Sequence, residues 1–254
     1  MKTAYALCSA FVALLLIGCT QMEKTKMRSD SAQPGQQPQT FEKTITKTLK
    51  CNYLLFLSEG YGQQKKKWPL ILFLHGAGER GSNLELVKKH GPPKIVQTRK
   101  DFPFIVVSPQ CPANDWWTKK TEMLINLLDE IIARYDVDTQ RVYLTGLSMG
   151  GYGSWALAAD YPDRFAAVVP ICGGGNRTMS LMLKDVPIWA FHGAKDTTVP
   201  VEESKEIVDA INRRGGNAKL TIYPEASHDS WTQTYENQEV YDWLLQHRLA
   251  GKQK

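Results

Sequence analysis

Apolar and polar positions divide this chain into three stretches. Residues 4–17 are largely apolar, residues 20–40 almost entirely polar, and from 41 onward the two alternate in recognisable patterns. In the patterned part, short apolar or β-branched runs at 44–49, 53–57, 69–74, 104–108, 141–145, 166–171, 187–191 and 219–223 predict strands. The first two predict an antiparallel hairpin turning near residues 50–52. The later runs are continuous rather than alternating, as in parallel strands covered on both faces. Between them, residues 121–135 place Met123, Leu124, Leu127, Leu128, Ile131, Ile132 and Tyr135 on one helical face. Further helices are expected over 148–161, ending before Pro162, over 201–213, stopped by Gly215 and Gly216, and over 238–248. Strands alternating with helices predict an α/β fold, a mostly parallel, doubly wound sheet of about eight strands with ligands at the strands' carboxyl ends.

The apolar stretch follows Met1 and Lys2 and is shorter than the roughly 20 residues of a bilayer-spanning helix. Its length and position fit the core of an export signal. Leu16-Ile17-Gly18-Cys19 puts a small residue just before a cysteine and is similar to a bacterial lipoprotein signal. That pattern implies a signal peptide over 1–18, lipidation of Cys19 and a lipid-anchored protein of the cell envelope, at the outer membrane or cell surface. An ordinary secretory signal with a chance cysteine is the alternative. Residues 19–40 lack the apolar content to fold and read as a flexible tether. One domain then fills 41–254. The composition is ordinary for a globular domain, 43% hydrophobic and 22% charged, and the net charge of +5 lacks the concentrated basic face that nucleic acid requires. No nucleic-acid partner is expected.

The chemistry gathers at the predicted carboxyl ends. Gly146-Leu147-Ser148-Met149-Gly150 lies between a strand and a helix, the context of a nucleophile elbow, with glycines where side chains would clash in the turn. A serine hydroxyl needs a base to take its proton and a carboxylate to orient that base. In this architecture the order along the chain is nucleophile, acid, base. His228 follows the last strand and is the base, whereas His247 lies in the terminal helix and His192 precedes the best acid. Asp196 follows the preceding strand and is the acid; Asp185 lies at the wrong end of the sheet, and Asp229 adjoins the base too closely. Oxyanion donors are expected at the amide of Met149 and in the loop His75-Gly76-Ala77-Gly78, with Ala77 favoured and Gly76 or Gly78 open. His75 reads as a packing residue of that loop.

Together, His75-Gly-Ala-Gly-Glu-Arg-Gly81, His90-Gly-Pro-Pro93, Ser108-Pro-Gln-Cys-Pro112, Gly146-Leu-Ser-Met-Gly-Gly151 and His228-Asp-Ser-Trp231 resemble one group of α/β-hydrolases. These are exported bacterial enzymes related to polyhydroxybutyrate depolymerases and to feruloyl and acetylxylan esterases. The resemblance runs from about Tyr53 to Leu245, and its triad falls on Ser148, Asp196 and His228. It implies an α/β-hydrolase fold and a serine esterase acting through an acyl-enzyme on feruloyl, acetyl or other short acyl esters, plant-polysaccharide esters among them. A serine peptidase of the same fold and a non-catalytic binding lipoprotein are the alternatives. Only about fifteen residues separate the strands 166–171 and 187–191, too few for a cap domain, so an open site is expected.

Trp116, Trp117 and Trp231 lie on loops at the catalytic edge, where they serve either as flat binding surfaces or as packing, and His90 and Tyr152 join the rim. Neither an H-E-x-x-H element nor paired Cys/His spacing occurs, so no metal and no cofactor are expected. Cys111 and Cys172 follow strands about 14 Å apart in such a sheet, beyond the roughly 7 Å a disulfide spans. With Cys51 they are expected as three free thiols.

Overall fold

The structure, a computed structural model, describes residues 36–63 and 65–249. The signal segment 1–18 and Cys19 lie outside the described residues. The chain divides into two compact units, Met1–Lys47 and Thr48–Lys254. Of the first, residues 36–47 are exposed and carry no regular secondary structure.

The second unit is built on a seven-stranded sheet of order β1-β3-β2-β4-β5-β6-β7. The strands are β1 (Tyr53–Phe56), β2 (Trp68–Leu74), β3 (Ile105–Pro109), β4 (Val137–Leu147), β5 (Ala167–Ile171), β6 (Trp189–Gly193) and β7 (Lys219–Tyr223). All neighbours run parallel except β1 with β3. The helices are α1 (Gly91–Ile95), α2 (Thr121–Arg134), α3 (Met149–Asp160), α4 (Ser180–Leu183), α5 (Glu202–Asn212), α6 (Trp231–Glu236) and α7 (Gln238–Gln246). This is the α/β-hydrolase fold.

Strand β2 explains why the sequence shows unbroken apolar runs. Its successive side chains point to opposite faces. Leu70, Leu72 and Leu74 join the core under α2, α3 and α5, while Ile71 and Phe73 join a second core with Val240, Tyr241 and Leu244 of α7. Both faces are covered, so no polar position interrupts the run.

The run at 44–49 forms no strand, and the hairpin expected near residues 50–52 is absent. Residues 44–48 are exposed, and residues 50–52 contain none of the glycine-bearing turn chemistry that closes a tight hairpin. β1 pairs with β3 instead, with Tyr53 opposite Pro109 and Phe56 opposite Val106. Residues 172–188, between β5 and β6, hold only a short 3-10 turn and the one-turn α4, so among the described residues this connection forms no cap over the strand ends. Cys51, Cys111 and Cys172 are free thiols, and two strands, β2 and β4, separate those that precede the last two.

Candidate active site

The elbow is made by backbone crowding. Ser148, between β4 and α3, sits at φ 52° and ψ −117°, a region that a side chain enters only at a cost of about 1–3 kcal/mol. The glycines beside it let the chain turn. A Cβ on Gly150 would lie 1.9 Å from the Leu74 carbonyl oxygen, and one on Gly146 would lie 2.4 Å from the Gly150 carbonyl oxygen. Ser148 is held further by its amide, which donates to the Ile171 carbonyl at 2.9 Å.

Three side chains from three strand ends meet here. His228 Nε2 accepts from the Ser148 hydroxyl at 2.9 Å, and its Nδ1–H donates to Asp196 Oδ2 at 2.7 Å. The other carboxylate oxygen of Asp196 accepts the amides of Thr198 and Val199, each at 2.9 Å. Burial pushes this carboxyl upward, but the bonds from His228, Val199 and Thr198 outweigh it and hold the group below the usual carboxylate range. The loop carrying His228 is seated by backbone contacts: Lys195 N–H donates to Ala226 O at 2.9 Å, and a Cβ on Gly193 would strike Ser227 O at 2.1 Å.

Met149 and Ala77 each open a helical turn, α3 and the 3-10 turn Ala77–Glu79, where first-turn amides lack intrahelical acceptors. Gly150 joins the two segments through its close approach to the carbonyls of Leu74 and His75. His75 is a packing residue. Its Nε2 accepts from the Cys111 amide at 3.0 Å and its Nδ1–H donates to the Gly76 carbonyl at 2.6 Å. Burial depresses its pKa to about 4, despite the bond to Gly76, so the ring is neutral near pH 7.

The expected rim separates into two groups. Trp231 lies between His90 and His228, its ring centre 5.5 Å and 5.3 Å from theirs, both edge to face. Trp116 is 43% exposed, with the Arg80 guanidinium 5.6 Å from its ring centre. Tyr152 is half-buried, and burial with the nearby charges of Glu203 and Asp196 raises its phenol. Trp117 does not belong to the rim. It is fully buried, its Nε1–H donates to the His75 carbonyl at 2.9 Å, and its Cβ packs where Gly153 of α3 leaves room. Of two adjacent loop tryptophans, one has turned into the core. A cleft of about 530 Å³ between α1 and α6 begins at His90 and Trp231 and continues past Lys94 and Tyr235.

Arg80, not singled out in the sequence, donates to the Ala77 carbonyl at 3.0 Å and to the Asp115 carbonyl at 3.4 Å, tying the two loops together. His192 was passed over on chain order, yet it stands 3.3 Å from Asp196. Only its place beside Gly193, at a strand end, hinted at this. Among the described residues no group of three His, Cys, Asp or Glu side chains could hold a metal, and no helix is long and apolar enough to cross a membrane.

The chain is similar to known proteins. Residues 110–242 match the family described as the Dienelactone hydrolase family. A bifunctional acetylxylan esterase/xylanase of Neocallimastix patriciarum is 30% identical over 53% of this chain, which spans only 20% of that relative's length. A poly(3-hydroxyoctanoate) depolymerase of Pseudomonas fluorescens is 24% identical over 88% of this chain and 90% of its own. A solved structure titled as a thermostable esterase is 36% identical with a TM-score of 0.68, covering 77% of this chain and 59% of its own.

Proposed function

The protein belongs to the dienelactone hydrolase family, and from that premise we propose that it is a serine hydrolase of carboxylic esters working through an acyl-enzyme. One observation carries this reading: the continuous hydrogen-bonded run Ser148–His228–Asp196 on a strained elbow at the ends of β4, β6 and β7.

His228 takes the proton of Ser148 as the hydroxyl oxygen attacks the ester carbonyl. The negative charge that develops on the carbonyl oxygen is met by the amides of Met149 and Ala77, dipoles already oriented before reaction. The intermediate collapses as His228 gives its proton to the departing alcohol. Water, deprotonated by the same nitrogen, then hydrolyses the acyl-serine. Asp196 holds the Nδ1–H tautomer throughout and stabilises the imidazolium.

Short acyl esters of carbohydrates and small alcohols, feruloyl and acetyl esters included, form the proposed substrate class. The uncapped site, the open face of Trp116 and the indole of Trp231 beside His228 support it, as does the similarity to an acetylxylan esterase/xylanase. Export and a lipid anchor at Cys19 belong to the same proposal, on the strength of the amino-terminal pattern alone.

Incubation with a fluorophosphonate and with p-nitrophenyl acetate tests the reading. The wild-type chain takes the label and hydrolyses the ester, and Ser148→Ala loses both, with turnover down about 10⁴-fold or more. A wild-type chain that does neither, or a Ser148→Ala chain that retains either, would falsify the assignment.

A further inference from the structure

Asp196 has a second histidine against it. His192, in β6 and wholly buried, brings Nε2 to 3.3 Å from Asp196 Oδ2, the same oxygen that receives His228 Nδ1–H at 2.7 Å. The carbonyl of Val199 fixes a proton on one edge of His192. Nε2 lies 2.9 Å from the carbonyl oxygen of Val199, which can only accept, so Nε2 carries a proton. That N–H anchors Val199, whose own amide binds the other Asp196 oxygen, and Nε2 stands 3.3 Å from Oδ2 without the alignment of a hydrogen bond. The far edge of the ring is also held: Nδ1 lies 2.7 Å from Ser204 Oγ on α5, and Ser204 Oγ lies 2.9 Å from the Gly173 carbonyl. Gly173 in turn abuts the nucleophile helix, since a Cβ there would fall 2.6 Å from Tyr152 N.

We propose that His192 is a positioning residue of the triad, which holds the Asp196 carboxylate in plane through Val199 and offsets part of the charge that Oδ2 presents to His228. This rests on the esterase reading given above. The ring touches no substrate, and its buried, doubly anchored place excludes a role as a second base. A carboxylate held only by two amides and the base can swing about its Cα–Cβ bond, and misplacement of an orienting group lowers the chemical step rather than binding. Withdrawing the His192 dipole also leaves Oδ2 a stronger partner for protonated His228, which holds the base protonated to higher pH. Of the other titratable groups, Tyr152 of α3 and Cys172 after β5 interact with Asp196, Glu202 of α5 interacts with His192, Glu203 of α5 acts on Tyr152, and Asp229, next to the base in the chain, acts on Cys172.

Two substitutions separate positioning from packing. His192→Gln can place an amide N–H near the position of Nε2, while His192→Asn keeps a polar group near Nδ1 but cannot reach Val199 or Asp196. His192→Asn should lower kcat about tenfold with KM unchanged, the value of one hydrogen bond felt in the transition state. The acidic limb of its kcat/KM profile should move to higher pH. His192→Gln should restore kcat to within about threefold and return the limb. The downfield proton resonance between His228 and Asp196 should survive in wild type and His192→Gln and broaden or shift in His192→Asn. If both variants lose thermal stability alike, while the limb and the resonance stay where they are in wild type, His192 is only a core residue and the proposal is overturned. Should His192→Asn fail to fold, Ser204→Ala, which frees the Nδ1 edge of the ring, has to move the limb the same way; an unmoved limb overturns the proposal equally. A wild-type chain without ester hydrolysis would reject the esterase reading instead, and the resonance, read without substrate, still judges His192.

Discussion

Gly150 lies so close to Leu74 that a methyl group on its Cα would overlap the Leu74 carbonyl oxygen at 1.9 Å. This contact seats the start of α3 on the end of β2, and so sets the Met149 amide beside the loop that carries Ala77. The obstacle is backbone on both sides, so no rotamer change can relieve it. Gly150→Ala should therefore destabilise the protein by about 3 kcal/mol or more. Melting followed by circular dichroism should show a fall of about 6–12 °C, and the folded fraction should lose ester hydrolysis. An unchanged Tm would mean that the close approach is not present in solution.

Ser148 holds a backbone conformation that glycine adopts freely. Among variants that lack the hydroxyl, Ser148→Gly should be more stable than Ser148→Ala by about 1 kcal/mol, after allowance for the greater freedom of glycine in the unfolded chain. Chemical denaturation of the two inactive proteins measures the difference. Equal stability would place the elbow outside the strained region.

His75 links the loop that carries Ala77 to pH. Its pKa is about 4 in the folded protein against an ordinary 6.5, because burial disfavours the charged ring. Between these values the unfolded chain binds a proton that the folded chain refuses, so stability falls as pH drops from about 6.5 toward 4. The loss should reach ~3 kcal/mol at most. Unfolding free energies measured across this range should slope in wild type and flatten in His75→Gln. The same slope in both proteins would assign the acid sensitivity to another group.

Trp117 and Trp231 should respond to truncation in opposite ways. Trp117→Ala removes a fully buried indole and its bond to the His75 carbonyl, and should cost about 3–5 kcal/mol of stability. Trp231→Ala, at the half-buried wall beside His228, should leave the melting temperature within a few degrees and raise KM for bulky or aromatic esters more than for p-nitrophenyl acetate. Kinetics on matched esters alongside melting curves test both. A stable Trp117→Ala protein with raised KM would return that residue to the rim.

Much of the fold, and the meeting of the candidate site residues, is legible in the sequence. Seven of the eight predicted runs are strands, and the long helices start and stop within a few residues of their predicted bounds. Helices α1, α4 and α6 were missed because each is too short to show a helical stripe. Ser148, Asp196 and His228 were readable because each follows a strand, and a parallel sheet brings all its carboxyl ends to one edge.

What the sequence determined by itself is therefore what local pattern encodes: which segments become strands, which glycines stand in the elbow, and which polar residues lie at the strands' carboxyl ends. Tertiary structure alone decided the partners. It turned Trp117 inward and left Trp116 out, paired β1 with β3 instead of the run before it, and set His192 beside the carboxylate that bonds His228. Periodicity and turn chemistry act between near neighbours in the chain. The space behind His75, the edge of β3 that β1 occupies and the second approach to Asp196 are made by segments far apart in sequence, and only their packing chooses what fills them.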